Sequence, residues 1–432
     1  MVIDKFLRYV KIDTQSDPES TTFPSTEKQK DLARILYKEL VEMGASDCYM
    51  SEEFGYVYAN IPATDNGRCT KTIAFVAHMD TACDSSGTNV KARIIENYDG
   101  KDIVLNEELN IISSPSTYPE LLEYVGQTLI VTDGTTLLGG DDKAGVAEIM
   151  SMAEYLIAHP EIEHGPIAIV FTPDEEVGGG VDHIEFDRMK ADFAYTVDGG
   201  GIGELEFENF NAASADIEIH GVVVHPGSAK DKMINAVSIA AQFDTMLPEM
   251  ERPEHTEGYG GFYHLMDISG GVEQASMSYI IRDHSKELFE AKKAKIFEIT
   301  EALNAKYGEG TVIANVSDSY LNMREKIVPE YQFLIDAAKE TMEALDIEPK
   351  ITPVRGGTDG AKLSYMGLPC PNLCTGGFQG LQFIRSSVSG ATGIFNNLLC
   401  LAAGLLHRFC PFFFQLYAVF FALFSNLLCF FP

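Results

Sequence analysis

Positive charge is scarce in this sequence: 32 Lys and Arg stand against 64 Asp and Glu, a formal net charge of −32 over 432 residues. That balance excludes nucleic acid as a partner, because neutralising phosphates requires clustered Lys and Arg. An acidic surface favours solubility and attracts ligands carrying a free ammonium group. Cysteines are few and scattered. The eight show no repeated close spacing, which argues against a disulfide framework in a chain of this length. Cys370 and Cys374 flank Pro371-Asn372-Leu373 and read as buried thiols, since no second pair accompanies them to complete a metal site. Phe6-Leu7-Arg8-Tyr9-Val10 follows Met1 almost at once, without the basic-then-apolar order of a secretory leader. A cytoplasmic location is therefore expected. There is no internal repeat, and the length implies two domains of roughly 100–200 residues each.

The first half alternates between short apolar runs and helical patterns. Ser25-Thr26-Glu27 precedes Leu32, Leu36, Leu40 and Met43 and then Gly44, which predicts a capped helix. Apolar runs over 73–77, 128–132 and 167–172 read as strands, and 144–158 reads as helix. This order predicts a mainly parallel sheet with covered faces, whose ligand crevice lies beyond the carboxyl ends of its strands. After Phe207 the texture changes: strand over 213–224, helix 231–247, strand 275–281, helix 286–307, strand 311–317. A small antiparallel sheet with two helices on one face accounts for it. The helix predicted over 331–345 returns the chain to the first domain. The fold class is thus α/β, with a smaller α+β domain inserted: 1–206 and 322–378 form one domain and 207–321 the other.

Four acidic clusters follow predicted strands. His78-Met79-Asp80 ends the first run, and a two-residue period points both side chains the same way. Imidazole is a good zinc ligand, and a neighbouring carboxylate can orient it. Gly139-Gly140-Asp141-Asp142-Lys143 opens the helix, and its plain structural reading is an acidic cap. Asp174-Glu175-Glu176 follows a wholly apolar run. Three acids there are costly without a cation, and one can bind it while a neighbour works as general base. Asp198 in Val197-Asp198-Gly199-Gly200-Gly201 is the fourth, beside glycines that let the backbone come close. None decides alone, but four such clusters at the ends of one sheet's strands indicate a metal centre.

From near the amino terminus to about Phe378, the chain resembles the peptidase T family of tripeptide aminopeptidases, in the di-zinc exopeptidase and amidohydrolase superfamily. The motifs that carry the resemblance are His78-Met79-Asp80-Thr81, Leu137 to Lys143, Phe171 to Gly178, Val197 to Gly201, Glu204 to Asn211, and Arg355-Gly356-Gly357-Thr358-Asp359-Gly360. The resemblance implies a zinc-peptidase catalytic domain holding two Zn2+ and an inserted domain serving as lid and homodimer surface. It assigns His78 and Asp198 to one zinc, Glu176 to the second and Asp141 as the bridge. Glu175 would be the general base, with Asp80 fixing His78. His225, in Val224-His225-Pro226-Gly227, would reach the scissile carbonyl oxygen, and Arg355 would grip substrate polar groups such as the peptide carboxylate. Short peptides are the implied substrates. Deacylation of N-acylated amino acids is the second enzymatic reading.

The sequence departs from that pattern after Phe378. The family's remaining ligand histidine would fall near Leu381, yet no histidine occurs before His407. Residues 379–432 contain no Asp or Glu and end in Phe-rich runs such as Phe420-Phe421-Ala422-Leu423-Phe424. This is read as an aberrant hydrophobic tail translated out of frame, which leaves the second zinc short of a ligand and the chain's activity in doubt. Two further readings stand: a span over 411–431, near the ~20 residues needed to cross a bilayer, and a peptide-binding relative without turnover. A membrane is not the expected partner.

Overall fold

The computed structural model describes residues 2–378 and the two-residue strand Ser387–Val388. The tail over 379–432, its proposed span and the position near Leu381 otherwise lie outside the described residues. Among those described, no helix is long and apolar enough to cross a membrane. The chain forms two compact units. The first comprises Met1–Leu205, Pro329–Ile351 and the residues from Met366 onward, and the second comprises Glu206–Val328 and Thr352–Tyr365.

An eight-stranded sheet organises the first unit, in the order Ser46–Met50, Val57–Ile61, Ile167–Thr172, Ile73–His78, Phe193–Gly199, Asn372–Cys374, Glu204–Glu206, Lys350–Ile351. The strands Ile167–Thr172, Ile73–His78, Phe193–Gly199 and Asn372–Cys374 run parallel, whereas Val57–Ile61 is antiparallel to both of its neighbours, Ser46–Met50 and Ile167–Thr172. Every residue of Ile73–His78 and Ile167–Thr172 is buried. That explains their unbroken apolar runs, because helices and loops cover both faces of such strands. The predicted α/β class with a mainly parallel sheet is borne out.

The helix Gly140–Ala158 packs against Ile73–His78 and Phe193–Gly199 and is buried around most of its circumference. Gly145 sets the distance of closest approach. A Cβ there would lie 1.9 Å from the Val197 carbonyl oxygen, so only glycine lets the helix settle against that strand. Within the same helix Glu148 is fully buried with neither carboxylate oxygen hydrogen-bonded among the described residues, and burial raises its pKa well above the usual range.

Three expectations are corrected. The strand Leu129–Val131 does not join the main sheet. It pairs with Arg93–Ile95 in a separate small sheet, so the cluster beginning at Asp141 is brought in by its helix and not by a strand of the main sheet. Ser25 does not cap the helix Gln29–Met43. Lys28 occupies that position without a side-chain bond, because Ser25 is engaged by Asp174 and Thr26 by the Gln15 carbonyl. The carboxyl end forms as expected, with Gly44 left-handed at φ +92°. Finally, residues 352–365 cluster with the second unit, held there by Phe210 N–H donating to the Val354 carbonyl at 3.2 Å and by the contacts of Arg355.

The second unit carries a four-stranded antiparallel sheet in the order Phe262–Gly270, Gln274–Asp283, Asn211–His220, Val312–Tyr320. Ala213, Ala215, Ile217 and Ile219 alternate inward to meet Ile239 and Phe243 of Ala236–Met246 and Phe289, Ile296 and Ile299 of Lys286–Tyr307. The edge strand Phe262–Gly270 is absent from the sequence reading, because its outer half is exposed and lacks an apolar face.

Candidate metal centre

Three loops of the first unit converge at the carboxyl ends of the parallel strands. His78 ends Ile73–His78, Asp198 ends Phe193–Gly199 but for one residue, and Glu175 and Glu176 follow Ile167–Thr172. Asp141 enters from the kinked start of Gly140–Ala158, where Asp141 (φ −83°, ψ 109°) and Asp142 (φ −120°, ψ 36°) leave helical geometry after a left-handed Gly139. The Asp141–Asp142 peptide bond is cis. Close seating at Gly145 brings this turn beside Asp198.

His78 Nε2 lies 2.8 Å from Asp141 Oδ1 and 3.5 Å from Asp198 Oδ1. Ligand atoms of these three residues all fall within 4.8 Å of one another, and no other such group of His, Cys, Asp and Glu is found among the described residues. On the far side of the ring, Nδ1 is 3.1 Å from the Asp80 carbonyl and 3.3 Å from its carboxylate. Asp80 is fully buried and accepts the backbone N–H groups of Glu175 at 3.0 Å and Glu176 at 3.1 Å. One carboxylate therefore ties the imidazole to the loop bearing both glutamates.

The electrostatics are those of carboxylates crowded out of water. Burial, then the charge of Asp141, pushes Glu176 up to about 8. Burial raises Asp198 to about 6, with His78 opposing and Asp141 adding to the rise. Burial and the charges of Asp198 and Asp141 hold Asp142 well above the carboxylate range. Burial disfavours charge on His78, but Asp198, Asp141 and Asp80 together raise its pKa well above the usual imidazole value. Anionic oxygens with one imidazole nitrogen, short of compensating charge, form a donor set suited to a divalent cation.

Over 376 residues the chain is 58% identical to a peptidase T of Caldanaerobacter subterraneus subsp. tengcongensis, a match spanning 87% of this chain and 91% of that one. The chain belongs to the peptidase T family. Peptidase T of Clostridium novyi is 54% identical over the same length and covers 87% of this chain and 92% of its own. A family model described as a peptidase dimerisation domain matches residues 207–311. The fold is shared with crystal structures of aminopeptidase PepT from Bacillus cereus (TM-score 0.73, 22% identity, 94% of this chain and 98% of that one) and of a dinuclear metal-binding M20 peptidase from Bacillus subtilis (TM-score 0.62, 14% identity, 94% and 98%). The motif resemblance is thus borne out, and the convergent His and Asp side chains fit metal binding.

Two residues expected on substrate belong to the second unit. His225 is exposed, and its Nδ1 accepts the Gly227 N–H at 3.2 Å in the turn before Pro226–Ser228. Arg355 is half-buried. It donates to the carbonyls of Gly258 (2.7 Å) and Gly260 (3.0 Å) and to Thr256 Oγ1 (3.0 Å), with its guanidinium 5.0 Å from the Phe210 ring centre. These bonds brace the 256–260 turn. Cys370 and Cys374 are buried, as read, and burial pushes the Cys374 thiol up to about 12.

Supporting residues missed in the sequence surround this peptidase T centre. Asp142 is buried and accepts the N–H groups of His78 (3.3 Å) and Gly145 (3.1 Å). Lys143 is buried with Nζ donating to the Ile12 carbonyl at 2.6 Å, and burial lowers its pKa to about 7. Asp174 is 1% exposed and locked to Gln29. The available signal was one carboxylate more than metal and base require, in each of the pairs Asp141-Asp142 and Asp174-Glu175.

Proposed function

We propose that this chain is a zinc-dependent aminopeptidase that releases the amino-terminal residue of tripeptides. The observation that carries the reading is His78, Asp141 and Asp198 converging beside Glu175 and Glu176 in a peptidase T chain. His78 and Asp198 would hold one zinc, Asp141 both, and Glu176 the second. Bound zinc would supply Lewis-acid polarisation of the scissile carbonyl and acidify the attacking water. Glu175 would take a proton from the attacking water and deliver it to the departing amine. Asp80 keeps His78 in one ring orientation and, through two backbone N–H groups, fixes the stretch from which Glu175 projects. His225 and Arg355 are assigned to the scissile carbonyl oxygen and to substrate polar groups.

The match to a peptidase dimerisation domain supports a homodimer built through the second unit. Cys48, Cys69, Cys83 and Cys374, free cysteines among the described residues, support a reducing, cytoplasmic compartment. The functional test compares free tripeptides with N-acylated amino acids as substrates of the zinc-loaded chain. Cleavage of the tripeptides alone is the expected result. Preferential cleavage of the acylated compounds would instead make it a deacylase, because only an aminopeptidase requires a free amino terminus.

A further inference from the structure

Asp174 has no part in the reaction proposed above, yet its surroundings are built for it. Its carboxylate accepts the Ser25 backbone N–H (2.5 Å), the Ser25 hydroxyl and Gln29 Nε2 (2.6 Å), and its own N–H donates to Gln29 Oε1 (3.1 Å). The Asp174 carbonyl accepts the Gly179 N–H at 2.8 Å, which closes the loop that carries Glu175 and Glu176. Gln29 is fully buried. Asp174 sits at φ +54°, a left-handed conformation uncommon outside glycine, held here by its surroundings.

The same amino-terminal segment also holds the loop after His78. Thr26 Oγ1 donates to the Gln15 carbonyl at 2.7 Å. Ser16 donates to the Thr81 carbonyl through N–H (3.1 Å) and hydroxyl (3.2 Å), and Thr81 N–H donates to the Thr14 carbonyl at 3.3 Å. Asp80 closes the ring through the N–H groups of Glu175 and Glu176. The loops bearing His78 and Glu175 are therefore tied twice, once by Asp80 and once through residues 14–29.

We propose that Asp174, gripped by Ser25 and Gln29, is a positioning residue that fixes the Glu175–Glu176 backbone for proton transfer and metal ligation. The catalytic half rests on Glu175 as general base, whereas the anchoring half does not. Misplacing a reacting group by about 1 Å can cost about 100-fold in rate, so the anchor acts on kcat more than on substrate binding.

The test uses the full chain and two readouts. In metal-free protein, Asp174→Ala should speed hydrogen exchange at the Glu175 and Glu176 amides by about tenfold or more, the equivalent of one lost hydrogen bond. Exchange in the strand Ile167–Thr172 should not change. In zinc-loaded protein, kcat per bound metal should fall about 100-fold with KM changed by less than about twofold. Ser25→Ala, which keeps the backbone N–H donor, should be intermediate in both. Unchanged loop exchange in Asp174→Ala overturns the proposal, as does full kcat per bound metal despite a loosened loop. Should Asp174→Ala lose protection throughout the first unit, Gln29→Met is judged by the same exchange criterion, and an unchanged loop there also overturns it. A wild-type chain that cleaves no tripeptide removes the functional reading alone, since the exchange result still decides the anchor.

Discussion

Replacing Asp80 by Asn perturbs the centre without altering its shape. The native carboxylate is fully buried, receives the N–H groups of Glu175 (3.0 Å) and Glu176 (3.1 Å), and lies 3.3 Å from His78 Nδ1. Asparagine keeps one carbonyl oxygen. Whichever way its amide turns, one backbone N–H faces an NH2 group instead of an acceptor. A buried donor left unsatisfied costs about 1–3 kcal/mol, and the surviving bond loses its charge assistance, about 1 kcal/mol more. The expected loss is therefore about 2–4 kcal/mol. With an m-value of about 3 kcal/mol per molar urea, the unfolding midpoint of the metal-free first unit should fall by about 1 M. Circular dichroism in a urea series measures it, with hydrogen exchange over Ile73–His78 assigning the change to this unit. Zinc affinity should weaken about 10–100-fold, as on losing a partner that orients a ligand. A midpoint within about 0.2 M of wild type together with unchanged zinc affinity would refute the reasoning.

Two further outcomes follow from the geometry. Asp198, Glu176 and buried His78 all have folded pKa values above their ordinary ones. Groups of this kind stabilise the fold below their unfolded pKa values and lose that contribution as pH rises through the folded ones, here about 6 for Asp198 and about 8 for Glu176. Buried Glu148, also raised, adds in the same direction. Metal-free protein should accordingly melt at progressively lower temperature between about pH 5 and pH 7, below the range in which the depressed Lys143 works in the opposite direction, and saturating zinc should offset the loss because it binds the deprotonated ligands. A melting temperature that rises with pH in metal-free protein would contradict this. Gly145→Ala should lower stability by about 1–3 kcal/mol or more through overpacking, and should reduce bound zinc by displacing Asp141. Its thermal melt and metal content provide the check, and wild-type values in both would show that the close approach to Val197 is dispensable.

The parts of this fold legible in the sequence are those where one local pattern dominates. The apolar run ending at Thr172 is the strand Ile167–Thr172, and the helix Lys286–Tyr307 lies where its pattern predicts. The convergence of His78, Asp141 and Asp198 was foreshadowed because acids placed after buried runs are costly without a cation. What stayed hidden depends on partners distant in sequence. Ser25 reads as a helix cap until Asp174, 149 residues away, takes its hydrogen bonds. Leu129–Val131 reads as one more core strand, because an apolar triplet carries no information about which sheet it joins. Gly145 has no sequence signal of its own, and only the packing against Val197 shows why the Asp141 turn can sit beside Asp198.

The central claim, that Glu175 moves the proton in a metal-assisted peptide hydrolysis, is tested most directly by Glu175→Gln. The measurement pairs zinc content with release of the amino-terminal residue from a free tripeptide, in the wild-type chain and in the variant. Wild-type protein should release the residue, and the variant should keep its zinc while kcat falls by about 10²–10⁴-fold. Undiminished turnover in Glu175→Gln, or no release by a wild-type chain that holds zinc, would contradict it.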